Sequence, residues 1–238
     1  MSPLQPTASL AELAAEHPRR AALFERLRLD YCCGGAQTLA AACEGRGLDA
    51  ATVAELLEAL ERDEAALDPA EERDWRSAGI AELCDHIVAV HHRRLREELP
   101  RAGELFATVV RVHGDGRPEL ELAERAFTAL RSELEPHLAE EERHLFPACA
   151  ALERDGAAPA GFDVAVVERH EAEHRGVGRK LAALRELAGG YEEAEALCST
   201  HRALLGALRD LEADLHRHVH EENNVLFGRV RDRLAAAG

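Results

Sequence analysis

"LCSTHRALLGALRDLEADLHRHVHEENNV", residues 197–225, decides how this chain folds. Leu197, His201, Leu204, Leu208, Leu211, Leu215, His218, Glu222 and Val225 follow one another in alternating steps of four and three. That spacing draws one continuous stripe along a helix, and a stripe of this period faces the core of a helical bundle. His218 and Glu222 therefore sit where leucine would normally pack. Burying an imidazole and a carboxylate without partners is costly, so the stripe demands an explanation.

Three further stripes run through the chain. Ala123, Phe127, Leu130, Leu134, His137, Glu141 and then His144 or Leu145 repeat the pattern, with His137 and Glu141 one turn apart on one face as His218 and Glu222 are. Val167, His170, His174, Val177, Leu181, Leu184 and Ala188 place two histidines on a third. The first stripe reads Val88, His92, Leu95 and Leu99, but Ile80, Cys84, Ile87 and His91 fit nearly as well. Periodicity does not choose between His91 and His92.

A lone histidine on an apolar stripe is ordinarily a satisfied core residue. Four stripes carrying such insertions, two of them as His-x-x-x-Glu, are harder to explain that way. A purely structural His–Glu network must satisfy every lone pair and proton, which a bound metal does more readily. Imidazole and carboxylate donors without thiolates suit iron or manganese better than structural zinc. Carboxylates from two helices could bridge two metals, as in dinuclear bundles.

Alanine, leucine, glutamate and arginine dominate, aromatics make up 4%, and the expected fold is all-α. Long helices are expected over 77–99, 118–146, 163–188 and 191–234, the first with a possible extension past Pro100 through "PRAGELFATVVRVHGDG". Pro147, "DGAAPAG" and "AGG" punctuate the joins, which favours an up-down four-helix bundle over 77–238. Ahead of it, Ser9 with Glu12 reads as a capping box, Pro18 opens a second helix, and Thr38 and Asp49 cap two more. These make a small helical domain, 1–63, joined by a charged linker, 64–76, containing Pro69.

The formal charge of −16, from 29 Lys and Arg against 45 Asp and Glu, disfavours nucleic acid as a partner. No apolar run approaches the roughly 20 residues of a spanning helix, and "MSPLQPTASLAELAAEH" has neither the basic start nor the apolar stretch of a signal peptide, so a cytoplasmic protein away from membranes is expected. Cysteines at 32, 33, 43, 84, 149 and 198 show no disulfide framework spacing. Cys43, Cys84, Cys149 and Cys198 read as core fillers. "DYCCGG", 30–35, is different: neighbouring thiols form only a strained bridge, and the glycines are expected to leave Cys32 and Cys33 accessible for chemistry. The plain alternative is that both pack as small hydrophobes.

With these residues in view, the chain resembles the hemerythrin-like di-iron proteins called RIC, for repair of iron centres. "DYCCGGAQTLA" resembles that family's N-terminal dicysteine signature, "DWRS" its domain junction, "HLAEEERHLFP" its central helix and "HVHEENNVLFGR" its last. The resemblance implies a hemerythrin-like four-helix bundle holding a non-haem di-iron centre, carboxylate- and oxo-bridged. It implies terminal ligands at His92, His137, His174 and His218 and bridging carboxylates at Glu141 and Glu222, and it selects His92 over His91. Glu133 and Glu173 match acidic positions of the family but stay outside the expected metal set. His170 departs from a four-histidine count, and Gly228 stands where the family has proline.

The function so implied is repair of iron–sulfur clusters damaged by oxidative or nitrosative stress, with damaged iron–sulfur proteins as clients and NO or O₂ as candidate small ligands. Cys32 and Cys33 would pass iron, nitrosyl groups or electrons. A hemerythrin-like O₂ or NO sensor or store and a di-iron nitric oxide reductase are the alternatives, and whether the protein is an enzyme stays open. A homodimer is a candidate assembly.

Overall fold

The computed structural model describes residues 4–62 and 74–237, and all regular secondary structure among them is helical. Most of the expected linker, 64–73, lies outside the described residues. The first part of the chain forms α1 (Leu10–Glu16), α2 (Arg19–Leu27), α3 (Leu39–Glu44) and α4 (Ala50–Arg62). Its helix starts follow from local chemistry. Ser9 and Glu12 close a capping box, the Thr38 hydroxyl accepts from the Ala41 amide, and the Asp49 carboxylate accepts from the Thr52 amide. These helices share one apolar cluster built on Leu10, Phe24, Tyr31, Leu39 and Leu57.

The rest is a bundle of four rods. The first comprises α5 (Ile80–Ile87), a π-helical segment (Val88–His92) and α6 (Arg93–His113). The second comprises α7 (Pro118–Glu140), a π segment (Glu141–Leu145) and α8 (Phe146–Asp155). Helix α9 (Val164–Leu187) is the third. The fourth comprises α10 (Ser199–His220), a π segment (Glu221–Leu226) and α11 (Phe227–Ala237). The possible extension of the first rod past Pro100 is present, and two bounds differ from expectation. The second rod continues through Pro147, which sits in the first turn of α8, to Asp155 instead of ending at 146, and the fourth starts late. The first rod runs through Pro100 to His113: proline removes one backbone hydrogen bond, but the buried face of Leu95 and Leu99 before it and Ala102, Phe106 and Val109 after it holds the helix together. The fourth begins at Ser199 rather than 191: Gly189, Gly190 and Tyr191 all have positive φ, and the extended Cys198 caps the helix.

Two apolar clusters fill the bundle. One gathers Leu95, Phe106, Phe127, Leu134, Leu181 and Leu208; the other gathers Ile80, Ile87, Phe146, Val167, Phe227 and Val230. Between them lies a belt of buried His and Glu, and the three π segments fall at its level. A π turn inserts one residue into a helix and re-aims the side chains there, which is why such turns collect at functional sites. His92, Glu141 and Glu222 all lie in these segments.

The rod that carries His92 starts without a capping side chain of its own, since Gly79 stands at its N-cap. Glu153 of α8 reaches across instead, accepting from the Ile80 amide at 2.9 Å and the Ala81 amide at 3.1 Å. Burial opposes its charge, but these amides with Arg233 and Arg229 hold the Glu153 carboxyl below the ordinary carboxylate range. Glu153→Ala should destabilise the fold by about 1–2 kcal/mol, the size of a lost N-cap. Because the folded pKa is depressed, that contribution is present above the unfolded pKa and is lost as pH falls through the folded one. Denaturant titrations of wild type and variant should differ at neutral pH and converge in acid.

Candidate metal centre

The belt brings together all six residues singled out for metal. His92, Glu141, His218 and Glu222 offer donor atoms within 4.8 Å of one another, and so do His137, Glu141, His174 and Glu222. The two groups share both carboxylates. Each rod contributes: His92 from the first, His137 and Glu141 from the second, His174 from α9, His218 and Glu222 from the fourth. His92, Glu141 and Glu222 have no exposed surface, and His174 and His218 have 2% each. Phe146 lies against the His92 ring and Phe227 stacks on His174, covering those two rings, while His137 stays partly exposed, its side chain at 10%.

The donor set fits a pair of cations better than it fits itself. His137 Nδ1 is held by Glu173 at 3.0 Å and His174 Nδ1 by the Asn223 side-chain oxygen at 2.8 Å. Those partners fix Nδ1 as the donor and leave Nε2 as a lone pair. The two Nε2 atoms then face each other at 3.2 Å, a repulsive arrangement that a cation between them would reverse. His92 and His218 repeat the 3.2 Å approach, with His92 Nδ1 held by Glu142 at 2.8 Å. Glu141 Oε1 lies 2.8 Å from His137 Nε2, but neither Glu141 oxygen has a hydrogen-bond partner among the described residues, despite full burial. A fully buried carboxylate without a hydrogen-bond partner fits a metal ligand better than a structural acid.

Electrostatics points the same way. Burial opposes the charge of Glu222, yet His218 and His174 hold its carboxyl well below the ordinary range; burial and the charge of Glu222 oppose ionisation of Glu141, which His137 and His174 nevertheless keep low. Burial lowers the pKa of His92, assisted by His218. Ionised carboxylates are the form that metals require; burial opposes a charge on His137 and His174, yet Glu141 and Glu222 raise the pKa of both, so a cation entering there displaces protons from these rings.

The remaining candidates are distributed as follows. Glu173 orients His137, whereas Glu133 pairs with Lys180 on the surface. His170 is buried but already spends Nδ1 on the Val166 carbonyl and Nε2 on Glu140, and it belongs to neither donor group. His91 is also buried and faces away from the pair, toward Asp214 and Glu221. Leu145 rather than His144 continues the second stripe into the core. Glu142 and Asn223, which hold two of the rings, could not be found from periodicity because they lie off the stripes.

Cys32 and Cys33 sit beside this centre as free thiols, with sulfurs 3.9 Å apart. The expectation that both are accessible needs correction: Cys32 is 6% exposed and only Cys33 is partly open. The glycines serve the loop instead, since a Cβ on Gly35 would meet the Tyr31 carbonyl oxygen at 2.4 Å. Hydrogen bonding from Cys32 lowers the Cys33 pKa against the effect of burial, helped by His174 and His216, while the same bond and burial raise that of Cys32. The loop is tied to the belt by backbone. Asn224 donates to the Cys32 carbonyl at 3.0 Å, and Asn223, whose oxygen holds His174, donates to it at 3.4 Å.

Comparison with known proteins gives the same outline. The family profile described as the hemerythrin HHE cation binding domain matches residues 84–230, and one described as a domain of unknown function, DUF542, matches residues 6–61. The chain is 37% identical over 222 residues to the iron-sulfur cluster repair protein YtfE of Pectobacterium atrosepticum, covering 93% of this chain and 96% of that protein. It is 35% identical over 222 residues to the protein of that name from Citrobacter koseri and 37% over 221 residues to one from Escherichia coli, covering 93% of this chain and 95% of each relative.

Proposed function

Because the chain belongs to the RIC family of hemerythrin-like proteins, whose hemerythrin domain implies a non-haem di-iron centre, we propose that it repairs iron–sulfur clusters damaged by oxidative or nitrosative stress. In this reading His92 and His218 would hold one iron and His137 and His174 the other, with Glu141 and Glu222 the carboxylates common to both donor groups. The observation that carries it is the joining, in one chain, of a buried His–Glu belt to a dithiol loop through Asn223. When bound, the iron pair supplies exchangeable iron and a position for a small diatomic ligand. The chain's own residues do the rest. Glu142, Glu173 and Asn223 aim the imidazoles, Phe146 and Phe227 cover the His92 and His174 rings, and the dithiol is the exchange point between the centre and a client. Residues 1–63 act as the thiol-bearing domain and 77–238 as the iron-holding one. No helix among the described residues is long and apolar enough to cross a membrane, which suits iron–sulfur enzymes of the cytoplasm as clients.

The test is reactivation of an iron–sulfur dehydratase inactivated by peroxide or by nitric oxide, with the chain supplied iron-loaded or iron-free. Activity should return with the loaded chain and not with the free one. No reactivation, together with reversible O₂ or NO binding, would move the protein to a sensor or store; steady formation of nitrous oxide with a reductant would make it a reductase.

A further inference from the structure

Another cluster of metal-ligating side chains lies in the bundle, with His91 buried and His86 and Glu221 partly so. His86 lies on α5, His91 in the first π segment and Glu221 at the start of the third. We propose that His86, His91 and Glu221 form a second, mononuclear site for a first-row divalent cation, separate from the iron pair.

The geometry is that of ligands rather than hydrogen-bond partners. His86 Nε2 and His91 Nε2 lie 3.4 Å and 3.5 Å from the same oxygen, Glu221 Oε2, and all three donor atoms lie within 4.8 Å of one another. These separations exceed the usual N–H···O range of about 2.7–3.2 Å. They match the edges of a tetrahedron whose metal–ligand bonds are about 2.0–2.1 Å, which come to roughly 3.3–3.4 Å. His91 Nε2 and Glu221 Oε2 are both buried without a hydrogen-bond partner among the described residues, and His91 as a whole is 3% exposed.

The surroundings fix the donors in place. Asp214 holds His91 Nδ1 at 3.1 Å, which leaves Nε2 as the lone pair in the carboxylate–histidine–metal arrangement. Arg94 and Arg217 approach the same Asp214 oxygen at 3.7 Å and 3.6 Å. Trp75 stacks on His86 with ring centroids 4.0 Å apart. A surface cavity lined by Trp75, Arg76, Arg217 and Glu221 gives a path of entry. Two imidazoles and one carboxylate with an open position are the donor set of mononuclear zinc and non-haem Fe(II) sites. The His91 ring stacks on His218, with centroids 5.5 Å apart and planes within 7°, so the occupant would sit one imidazole layer from the pair.

The rival arrangement has no metal. Burial opposes a charge on His91, but Asp214 and Glu221 raise its pKa to about 9 and Glu221 falls to about 2, so a metal-free cluster would be a buried ion pair. The proposal does not depend on the repair reading, and its baseline is only the iron pair.

Titrating the iron-loaded full chain with Co²⁺ separates the two, with bound metal counted by elemental analysis and ligation read from the visible cobalt bands. Iron plus cobalt should reach about three per chain in wild type and about two in His86→Phe and Glu221→Gln, by ligand count. Asp214→Asn should weaken the cobalt site by about 10–100-fold. Cys32→Ser with Cys33→Ser should keep it, which excludes the Asp30–Cys32–Cys33 group as its location. A wild-type total that stays near that of the iron pair, or a His86→Phe chain that binds cobalt as wild type does, overturns the proposal. Should Glu221→Gln also lose resident iron, His86→Phe decides alone, since it keeps an aromatic ring on Trp75 and stands apart from the belt.

Discussion

A chain carrying His218→Leu together with Glu222→Leu is expected to lose at least half of its pair-bound iron, falling from about two to one or fewer by the ligand-count argument, and to lose the iron–iron pairing with it. The two readings of the fourth stripe give opposite results here. His218 Nε2 lies 3.0 Å from Glu222 Oε1 and 3.2 Å from His92 Nε2, and Glu222 is fully buried. Were this only a tolerated polar defect, two leucines would complete the apolar stripe, and such replacements often stabilise by about 1–4 kcal/mol with function intact. If Glu222 bridges and His218 is terminal, the variant keeps His92, His137, Glu141 and His174, too few ligands for two metals. The metal-free variant could be the more stable protein, so stability does not decide the matter. Iron quantitation with cluster repair does, and a variant that keeps two irons and repairs clusters would contradict the site.

Cys32→Ser with Cys33→Ser is expected to do the reverse, leaving iron content unchanged while repair falls to background. Neither thiol belongs to the His–Glu donor groups, and the loop's hydrogen bonds from Asn223 and Asn224 end on the Tyr31 and Cys32 carbonyls, which serine keeps. What serine removes is the thiolate, the form able to exchange iron or nitrosyl groups. Cys33→Ser alone should account for most of the loss, because Cys33 is the more open of the two and has its pKa lowered by the hydrogen bond from Cys32. Reactivation of a damaged iron–sulfur enzyme, run beside iron analysis, checks both halves. Equal repair would return the motif to a packing role, and lost iron would make the thiols ligands.

The belt was legible because a histidine or glutamate on a leucine stripe contradicts the stripe, and His137, Glu141, His174, His218 and Glu222 each did so at a fixed step. The choice of His92 over His91 was not legible from period. Both are buried, and the π segment at Val88–His92 turns one toward Glu141 and the other toward Glu221. No residue type encodes a π turn, so the three segments that re-aim these side chains left no mark in the pattern. The fourth rod starts at Ser199 although Glu192, Glu193 and Ala194 are good helix formers, because the positive φ at Gly189 to Tyr191 is a tertiary choice that local propensity does not encode. The cluster of His86, His91 and Glu221 was invisible for a related reason. Its members lie on two rods, and Asp214, which orients His91, is 123 residues away in sequence.

X-ray absorption at the iron edge of the anaerobically purified full chain tests the central claim most directly. The account predicts an iron–iron scattering shell and a first shell of nitrogen and oxygen without sulfur, as imidazole and carboxylate ligation of a bridged pair requires. Isolated iron with no iron neighbour, or sulfur in the first shell from Cys32 and Cys33, would contradict it.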